Sequence, residues 1–341
     1  MKTIKLMTIA ALFSAICFSA SAQSGASAWP DETVLLYGKT ITNSPDPVRA
    51  KKIKSAGFKM AETNGLSGAE ATNDGGYLSN ISADARFDLY FPKNPNGQMI
   101  VVCPGGGYSF VSSYNEGIYV AEWMLEQGIT LAVVKYRLPN GHWTVPLEDV
   151  QNTFRYCREH AGEWGINQIG VMGFSAGGHL AATALTMYED AVTRPDFGIL
   201  IYPVITFSSK VSHGGTHDNL IGLRENVTAR KGQSFEEWSA TVGKYEQLEK
   251  RYSAEEQVTA DTPATFIALS SNDKTVPPIN SLMFYDALLE NGVSAEMHIY
   301  PYGGHGWGFT TDKHIGAGRD GLGYCRSEFE ASLSRWLKSL R

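Results

Sequence analysis

The run Gln168-Ile169-Gly170-Val171-Met172-Gly173-Phe174-Ser175-Ala176-Gly177-Gly178 decides how this chain is read. Its first half is apolar and short, as a buried strand is, and the residues from Gly178 to Met187 have a helical composition. A G-x-S-x-G between strand and helix sets the serine at a sharp turn with strained backbone angles. The flanking glycines let the two elements approach where a Cβ would clash. The pentapeptide alone occurs often by chance, so its weight comes from the strand before it and the helix after it. Ser175 is therefore the candidate nucleophile.

A serine hydroxyl is a poor nucleophile until a base removes its proton, and that base needs a carboxylate to orient it. His305 lies in Tyr302-Gly303-Gly304-His305-Gly306-Trp307-Gly308, a glycine-dense loop after the last expected strand, where an imidazole can be exposed. Asp273 follows the expected strand Thr265 to Ser270, within Ser271-Asn272-Asp273-Lys274-Thr275, at a strand's carboxyl end. Asn-Asp pairs also favour turns, so a turn-forming role stands beside the catalytic one. Asp261 and Asp286 are rivals at the wrong ends of their elements. The tetrahedral intermediate needs amide donors for its negative oxygen. Pro104-Gly105-Gly106-Gly107-Tyr108 follows the strand ending at Cys103, so Gly106 and Gly107, with Ala176 after the serine, are the candidate oxyanion hole. This loop lacks the spacing and the downstream Lys of a phosphate cradle.

Outward from these residues, strand-like runs occur at Arg86 to Phe91, Met99 to Cys103, Thr130 to Tyr136, Gln168 to Met172, Phe197 to Tyr202, Thr265 to Ser270 and Ala295 to Tyr300. Several are continuously apolar, as buried parallel strands are. Helical spacing joins Leu147, Val150, Phe154, Cys157, Ala161 and Trp164 on one face, with Glu148 and Asp149 suited to the first turn. It recurs at Phe329, Leu333, Trp336, Leu337 and Leu340. The alternation implies an α/β fold with a mostly parallel central sheet covered by helices on both faces. Val204 to Thr262 interrupts it, an insertion before the acid-bearing strand. Trp238, Val242, Tyr245, Leu248 and Tyr252 predict a helix there, lying over the active edge of the sheet. Residues 29 to 80, rich in Gly, Ser, Asn and Pro, read mainly as loops.

Residues 1–22 read as a secretory signal: Lys2 and Lys5, an apolar run from Leu6 to Phe18, and Ala20-Ser21-Ala22 before Gln23. That run is shorter than the ~20 residues needed to cross a bilayer. Cleavage near Ala22 makes the mature chain secreted or periplasmic, with residues 23–84 as an N-terminal extension packing on a catalytic domain at 85–341. Ile16 before Cys17 is larger than a lipoprotein processing site usually accepts. The remaining Cys103, Cys157 and Cys325 are odd in number, which excludes a complete disulfide framework and favours buried thiols. A net charge of -6 without basic runs excludes a nucleic-acid footprint. His179 reads as a packed structural residue. His213, His217 and Asp218 lack the partners of a metal site, so neither metal nor cofactor is expected.

Together, Val101-Val102-Cys103-Pro104-Gly105-Gly106-Gly107-Tyr108, Lys135-Tyr136-Arg137-Leu138-Pro139, Trp164-Gly165-Ile166, the elbow with His179-Leu180-Ala181, Asp273 with Val276-Pro277, and Gly304-His305-Gly306 form a recognisable set. From about Arg86 to the C-terminus the chain resembles α/β-hydrolase carbohydrate esterases, especially secreted acetyl xylan and feruloyl esterases related to hormone-sensitive-lipase-like enzymes. The resemblance implies the α/β-hydrolase fold, the triad Ser175, Asp273 and His305, and oxyanion donors at Gly106, Gly107 and Ala176. Pro104 stands where lipase-like relatives have His, and Phe174 where many have an acidic residue, which turns the expectation from lipids toward an acylated carbohydrate such as acetylated hemicellulose. Feruloyl or broad carboxylesterase activity needs the same machinery. A glycosidase would need paired carboxylates, which do not stand out, and a peptidase of this fold a larger gating domain. Tyr108, Tyr114, His142, Trp143 and Trp307 are candidates to stack on sugar rings, with ordinary core packing as the alternative.

Overall fold

A computed structural model describes residues 28–42, 44–62, 69–207, 211–222, 232–310 and 321–341; the expected signal at 1–22 lies outside them. Twelve strands and seven α-helices are described here. In chain order the strands are β1 Glu32–Leu35, β2 Lys52–Ser55, β3 Ala71–Thr72, β4 Tyr77–Ser79, β5 Arg86–Tyr90, β6 Gln98–Cys103, β7 Val111–Ser112, β8 Thr130–Lys135, β9 Gln168–Phe174, β10 Gly198–Ile201, β11 Thr265–Ser270 and β12 Ala295–Tyr300. The helices are α1 Tyr119–Glu126, α2 Val145–Trp164, α3 Ser175–Thr186, α4 Gly214–Ile221, α5 Phe235–Arg251, α6 Ile279–Glu290 and α7 Arg326–Ser339.

Nine strands form one sheet in the order β12-β11-β10-β9-β6-β8-β5-β1-β2. From β8 through β6, β9, β10 and β11 to β12 every pairing is parallel, while β5 runs antiparallel to both β8 and β1. β6 and β8 are buried along their whole length, which explains their unbroken apolar runs. Helix α2 turns Val150, Phe154 and Cys157 into the core and stops at Gly165, which is left-handed at φ 67°. α7 likewise buries Phe329, Leu333, Trp336 and Leu337.

The N-terminal stretch departs from its reading as loops. β1 and β2 extend the main sheet, and β3, β4 and β7 form a small antiparallel sheet. β1 carries a polar residue into the core: Thr33 is fully buried because its hydroxyl donates to Asp88 at 2.6 Å and accepts from the Ala50 amide. β2, Lys-Ile-Lys-Ser at the sheet edge, is mostly exposed and lacks alternation. Lysines on an edge strand discourage further pairing and also hide the strand from a pattern search.

The insertion holds α4 and α5. α5 begins with a capping box, in which the Ser234 hydroxyl accepts from the Glu237 amide and the Glu237 carboxylate from the Ser234 amide. Tyr245 is its one fully buried residue and packs on His217 of α4. The shorter α4, which the periodicity did not suggest, reaches the loop after β6, where its Asn219 donates to the Gly107 carbonyl.

Candidate active site

Five loops leave the carboxyl ends of β6, β9, β10, β11 and β12 and converge on one side of the sheet. Ser175 sits between β9 and α3 at φ 53°, the strained left-handed position that the motif requires. The glycines around it are steric necessities. A Cβ on Gly173 would come within 2.0 Å of the Gly177 carbonyl oxygen, and one on Gly177 within 2.1 Å of the Cys103 oxygen.

The structure brings Ser175, His305 and Asp273 together. Ser175 Oγ lies 2.8 Å from His305 Nε2, and His305 Nδ1 lies 2.7 Å from Asp273 Oδ2. A carboxylate can only accept, so Nδ1 carries the proton and Nε2 is left to accept the serine hydrogen. The other Asp273 oxygen accepts from the Thr275 and Val276 amides at 2.8 and 3.0 Å, so the acid also makes the turn that its sequence suggested. Asn272 Oδ1 takes the Gly304 amide, joining the β11 and β12 loops.

Gly105 lies against the serine, where a Cβ would come within 2.9 Å of the Ser175 Cβ, and Gly106 and Gly107 line the same cavity as Ser175. The Gly105 amide donates to Glu116 Oε2 at 2.6 Å, whereas no described acceptor takes the amides of Gly106, Gly107 or Ala176. Asn219 of α4 donates to the Gly107 carbonyl at 2.7 Å and steadies the loop. A cavity of about 330 Å³ opens beside them, near the lower end of the usual range for ligand sites. Ser175, His305, Gly106 and Gly107 line it.

None of the five aromatic or histidine candidates for sugar contact lies on this cavity wall. Tyr108 is buried, with its hydroxyl on His179 Nδ1. Tyr114 is buried under Gly76. Trp307 is buried with its indole N–H on Ser270 Oγ and Arg326 over its ring. His142 meets Glu62, and Trp143 borders a separate groove with Lys244, Leu248 and Arg251. Core packing claims these three, and the polar tips of Tyr108 and Trp307 find partners inside. His179 is likewise closed in: Nε2–H donates to the Tyr252 carbonyl, the ring stacks on Phe207, and burial pushes its pKa down to about 4.

Other residues border the cavity instead: Tyr77, Phe110, Asn115, Glu116 and His213. Tyr77 and Phe110 stack at 4.6 Å, brought together by the pairing of β4 with β7. His213 caps α4, its Nδ1 accepting from the Thr216 amide, and burial lowers its pKa. His217 meets Asp218 and Glu249, and no group of three or more metal-ligating side chains occurs among the described residues. No described helix is long and apolar enough to cross a membrane. Cys103, Cys157 and Cys325 are free and buried. The hairpin of Tyr77 and the placement of Glu116 depend on distant pairings, and no local pattern announces them.

Residues 87–288 match the profile of the BD-FAE family, a span that contains Ser175 and Asp273 and ends before His305. An acetylxylan esterase of Xylanibacter ruminicola is 39% identical over 241 residues, covering 69% of this chain and 46% of that protein. Endo-1,4-beta-xylanase B of Butyrivibrio fibrisolvens is 29% identical over 63% of this chain and 33% of its own length. The chain thus spans less than half of these curated relatives. Among solved structures, an acetyl ester-xyloside bifunctional hydrolase from Caldicellulosiruptor lactoaceticus superposes with a TM-score of 0.60 at 30% identity, covering 75% of this chain and 88% of that one. With its sheet order, its serine elbow and these likenesses, the chain belongs to the BD-FAE family of α/β-hydrolases.

Proposed function

We propose that the chain is a serine esterase that removes acetyl, or similarly small acyl, groups from xylan or its oligosaccharides through an acyl-enzyme. The observation that carries this reading is the continuous hydrogen-bond path from Ser175 Oγ through His305 to Asp273. Ser175 attacks the ester carbonyl while Nε2 takes its proton, and the amides of Gly106, Gly107 and Ala176 receive the oxyanion. His305 then returns the proton to the departing sugar hydroxyl, and water, activated by the same imidazole, releases the acid from Ser175. Nothing in this cycle calls for a metal or an organic cofactor. The acetylxylan esterase relative supports the substrate class, and the small cavity suits a short acyl chain. We read residues 1–22 as a cleaved secretory signal and the nine-stranded unit, which takes in β1 and β2, as the catalytic domain, so that the enzyme meets polysaccharide fragments outside the cytoplasm.

A feruloyl esterase is the second reading, favoured by the stacked Tyr77 and Phe110 at the cavity, which could face an aromatic acyl group as readily as a sugar. Acetate and ferulate release from a panel of native acylated xylo-oligosaccharides separates the two. Acetate release is expected to dominate, with p-nitrophenyl acetate far ahead of the palmitate ester in kcat/KM. A preference for palmitate, or inert acetylated sugars, would end the carbohydrate-esterase reading and leave the triad standing.

A further inference from the structure

The catalytic cycle above leaves one buried ionisable group at the cavity unused. Glu116 belongs to a π-helical turn, Tyr114–Ile118, that leads into α1, a kind of irregularity often found at functional sites. Its side chain is almost fully buried and contacts two of the loops that build the site. Oε2 accepts from the Gly105 amide, next to the proposed oxyanion donors, and Oε1 accepts from the Tyr202 hydroxyl at 2.8 Å. That hydroxyl in turn accepts from the Gly308 amide at 2.9 Å, three residues beyond His305. Tyr202 stands at φ 37° just after β10, with its ring 4.9 Å from the His305 ring.

Donor counting favours the ionised form of this carboxyl. The Gly105 amide can only donate. The phenol oxygen receives the Gly308 N–H, and Glu116 Oε1 is the acceptor in reach of its one hydrogen, so that hydrogen goes to Glu116. Neither carboxyl oxygen is left needing a proton, so the pattern is that of an ionised carboxylate with two donors. No Lys or Arg is among its hydrogen-bond partners. Burial pushes its pKa up, opposed by the Tyr202 and Gly105 donors and by the field of His305. A lone anion kept in such a place needs a compensating positive charge, and the imidazolium that forms during ester cleavage supplies one transiently.

We propose that Glu116 is a positioning residue that locks the oxyanion loop to the histidine loop through Gly105, Tyr202 and Gly308, and whose charge favours the His305 imidazolium formed in turnover. The same turn reinforces the lock. Asn115 Nδ2 donates to the Gly306 carbonyl at 2.8 Å, and its Oδ1 accepts from the Thr310 amide. Residues 115 and 116 thus hold both sides of the cavity. The titratable and charged groups facing His305 are Asp273 on the β11 loop, Tyr202 after β10, Glu116 on the π turn and His213 at the head of α4. Arg326 of α7 donates to the Gly308 carbonyl behind them.

This inference rests on the serine mechanism but on no particular sugar, so its test uses the full chain and p-nitrophenyl acetate. Glu116→Gln keeps the shape, removes the charge and leaves one donor misfaced. The expected result is a fall in kcat of about a hundredfold, since small misplacements of catalytic groups cost that much, with KM within about twofold. The acid limb of kcat/KM should move to lower pH, because the imidazolium has lost a neighbouring anion. Tyr202→Phe cuts the bridge to Gly308 but keeps the charge, so kcat should fall while the acid limb stays in place. The double variant should lose less than the sum of the two. An unchanged kcat in a folded Glu116→Gln protein, or an acid limb that does not move, overturns the proposal. Should that variant not fold, an unchanged kcat in Tyr202→Phe overturns it equally. Activity surviving in Ser175→Ala would instead remove the serine mechanism itself, whatever Glu116 does.

Discussion

Two buried sets of charges lie near the same edge of the central sheet, and they are built on opposite terms. On the β8, β5 and β1 side, Arg86 and Lys135 are enclosed with Asp46, Glu70 and Asp88. Arg86 Nη2 sits 2.9 Å from Asp46 and 2.8 Å from Glu70, and Lys135 Nζ lies 2.5 Å from both Asp46 and Asp88. On the β6, β9 and β10 side, Glu116 and Asp273 surround an imidazole with hydroxyl and amide donors only. Burial raises Asp46, but Lys135 and Arg86 overcome it and hold the carboxyl below its ordinary value. For Glu116 burial prevails and the pKa rises, as it does for Asp88 in the first set, but Glu116 has no Lys or Arg among its hydrogen-bond partners. Permanent cations complete the first set in the resting protein, so it serves the fold. On the proposed mechanism the second is completed only when His305 becomes charged, as expected of a preorganised transition-state environment.

Removing the nucleophile tests the second set most severely. Ser175→Ala is expected to lower kcat by about 10⁴-fold or more while the thermal unfolding midpoint stays close to that of the wild type. Turnover measured on freshly purified protein checks this, and an activity within tenfold of wild type would discard the elbow as the site of chemistry.

Breaking the first set should do the reverse. Lys135→Met leaves Asp88 with Thr33 and Asp46 with Arg86, and uncovering a buried carboxylate in this way costs about 3–5 kcal/mol of stability. Denaturant unfolding should show that loss, with kcat of the folded fraction little altered. The pH dependence carries a sign. Since the folded pKa of Asp46 is depressed, its stabilisation is fully present above its unfolded value and is lost as pH falls through the folded one. Asp88, raised by burial against the pull of Lys135, contributes the opposite slope. The variant should therefore lose part of the wild type's acid sensitivity. A Lys135→Met protein as stable as the wild type would place this cluster among those ion sets whose desolvation cancels their attraction.

The two sets also differ in how much of them could be read from the chain. The elbow, the acid and the base were legible because each is written into a loop between strong apolar runs, and steric need forces glycine at 173 and 177. Lys135-Tyr136-Arg137 stood out only as a resemblance, and the fold supplies the reasons. Lys135 enters the charge cluster, Tyr136 donates to the Pro104 carbonyl, and Arg137 clamps Asp149, an acid that the sequence suggested was serving the helix dipole. Glu116 was illegible. A single acid at the head of a helix reads as a solvated residue, and its partner Tyr202 lies 86 positions away. The aromatic candidates erred for a related reason. Tyr108 follows a candidate oxyanion glycine and Trp307 follows the His305-Gly306 pair in the chain, yet nearness in the chain does not set the direction of a side chain, and both of these are buried.

A third region of the same edge has no charge at all, and it should give the smallest effect. Tyr77, 41% exposed, stacks on Phe110 at the cavity, held there by the register of β4 on β7. Phe110 is a poor probe because its carbonyl packs against Gly106, where a Cβ would come within 2.1 Å. Tyr77→Ala leaves that loop intact and removes only the outer ring. Aromatic contacts add about 0.5–1.5 kcal/mol beyond area burial, so KM for acetylated xylo-oligosaccharides should rise about twofold to twelvefold. p-Nitrophenyl acetate, which carries no sugar to rest on the ring, should be hydrolysed as before. The contrast between the two substrates is what matters. An equal loss on both would mean that Tyr77 acts by propping the oxyanion loop, which would join it to the Glu116 set. A loss on the oligosaccharide alone would make the small N-terminal sheet a sugar-facing wall whose contribution, unlike that of either charged set, owes nothing to pH.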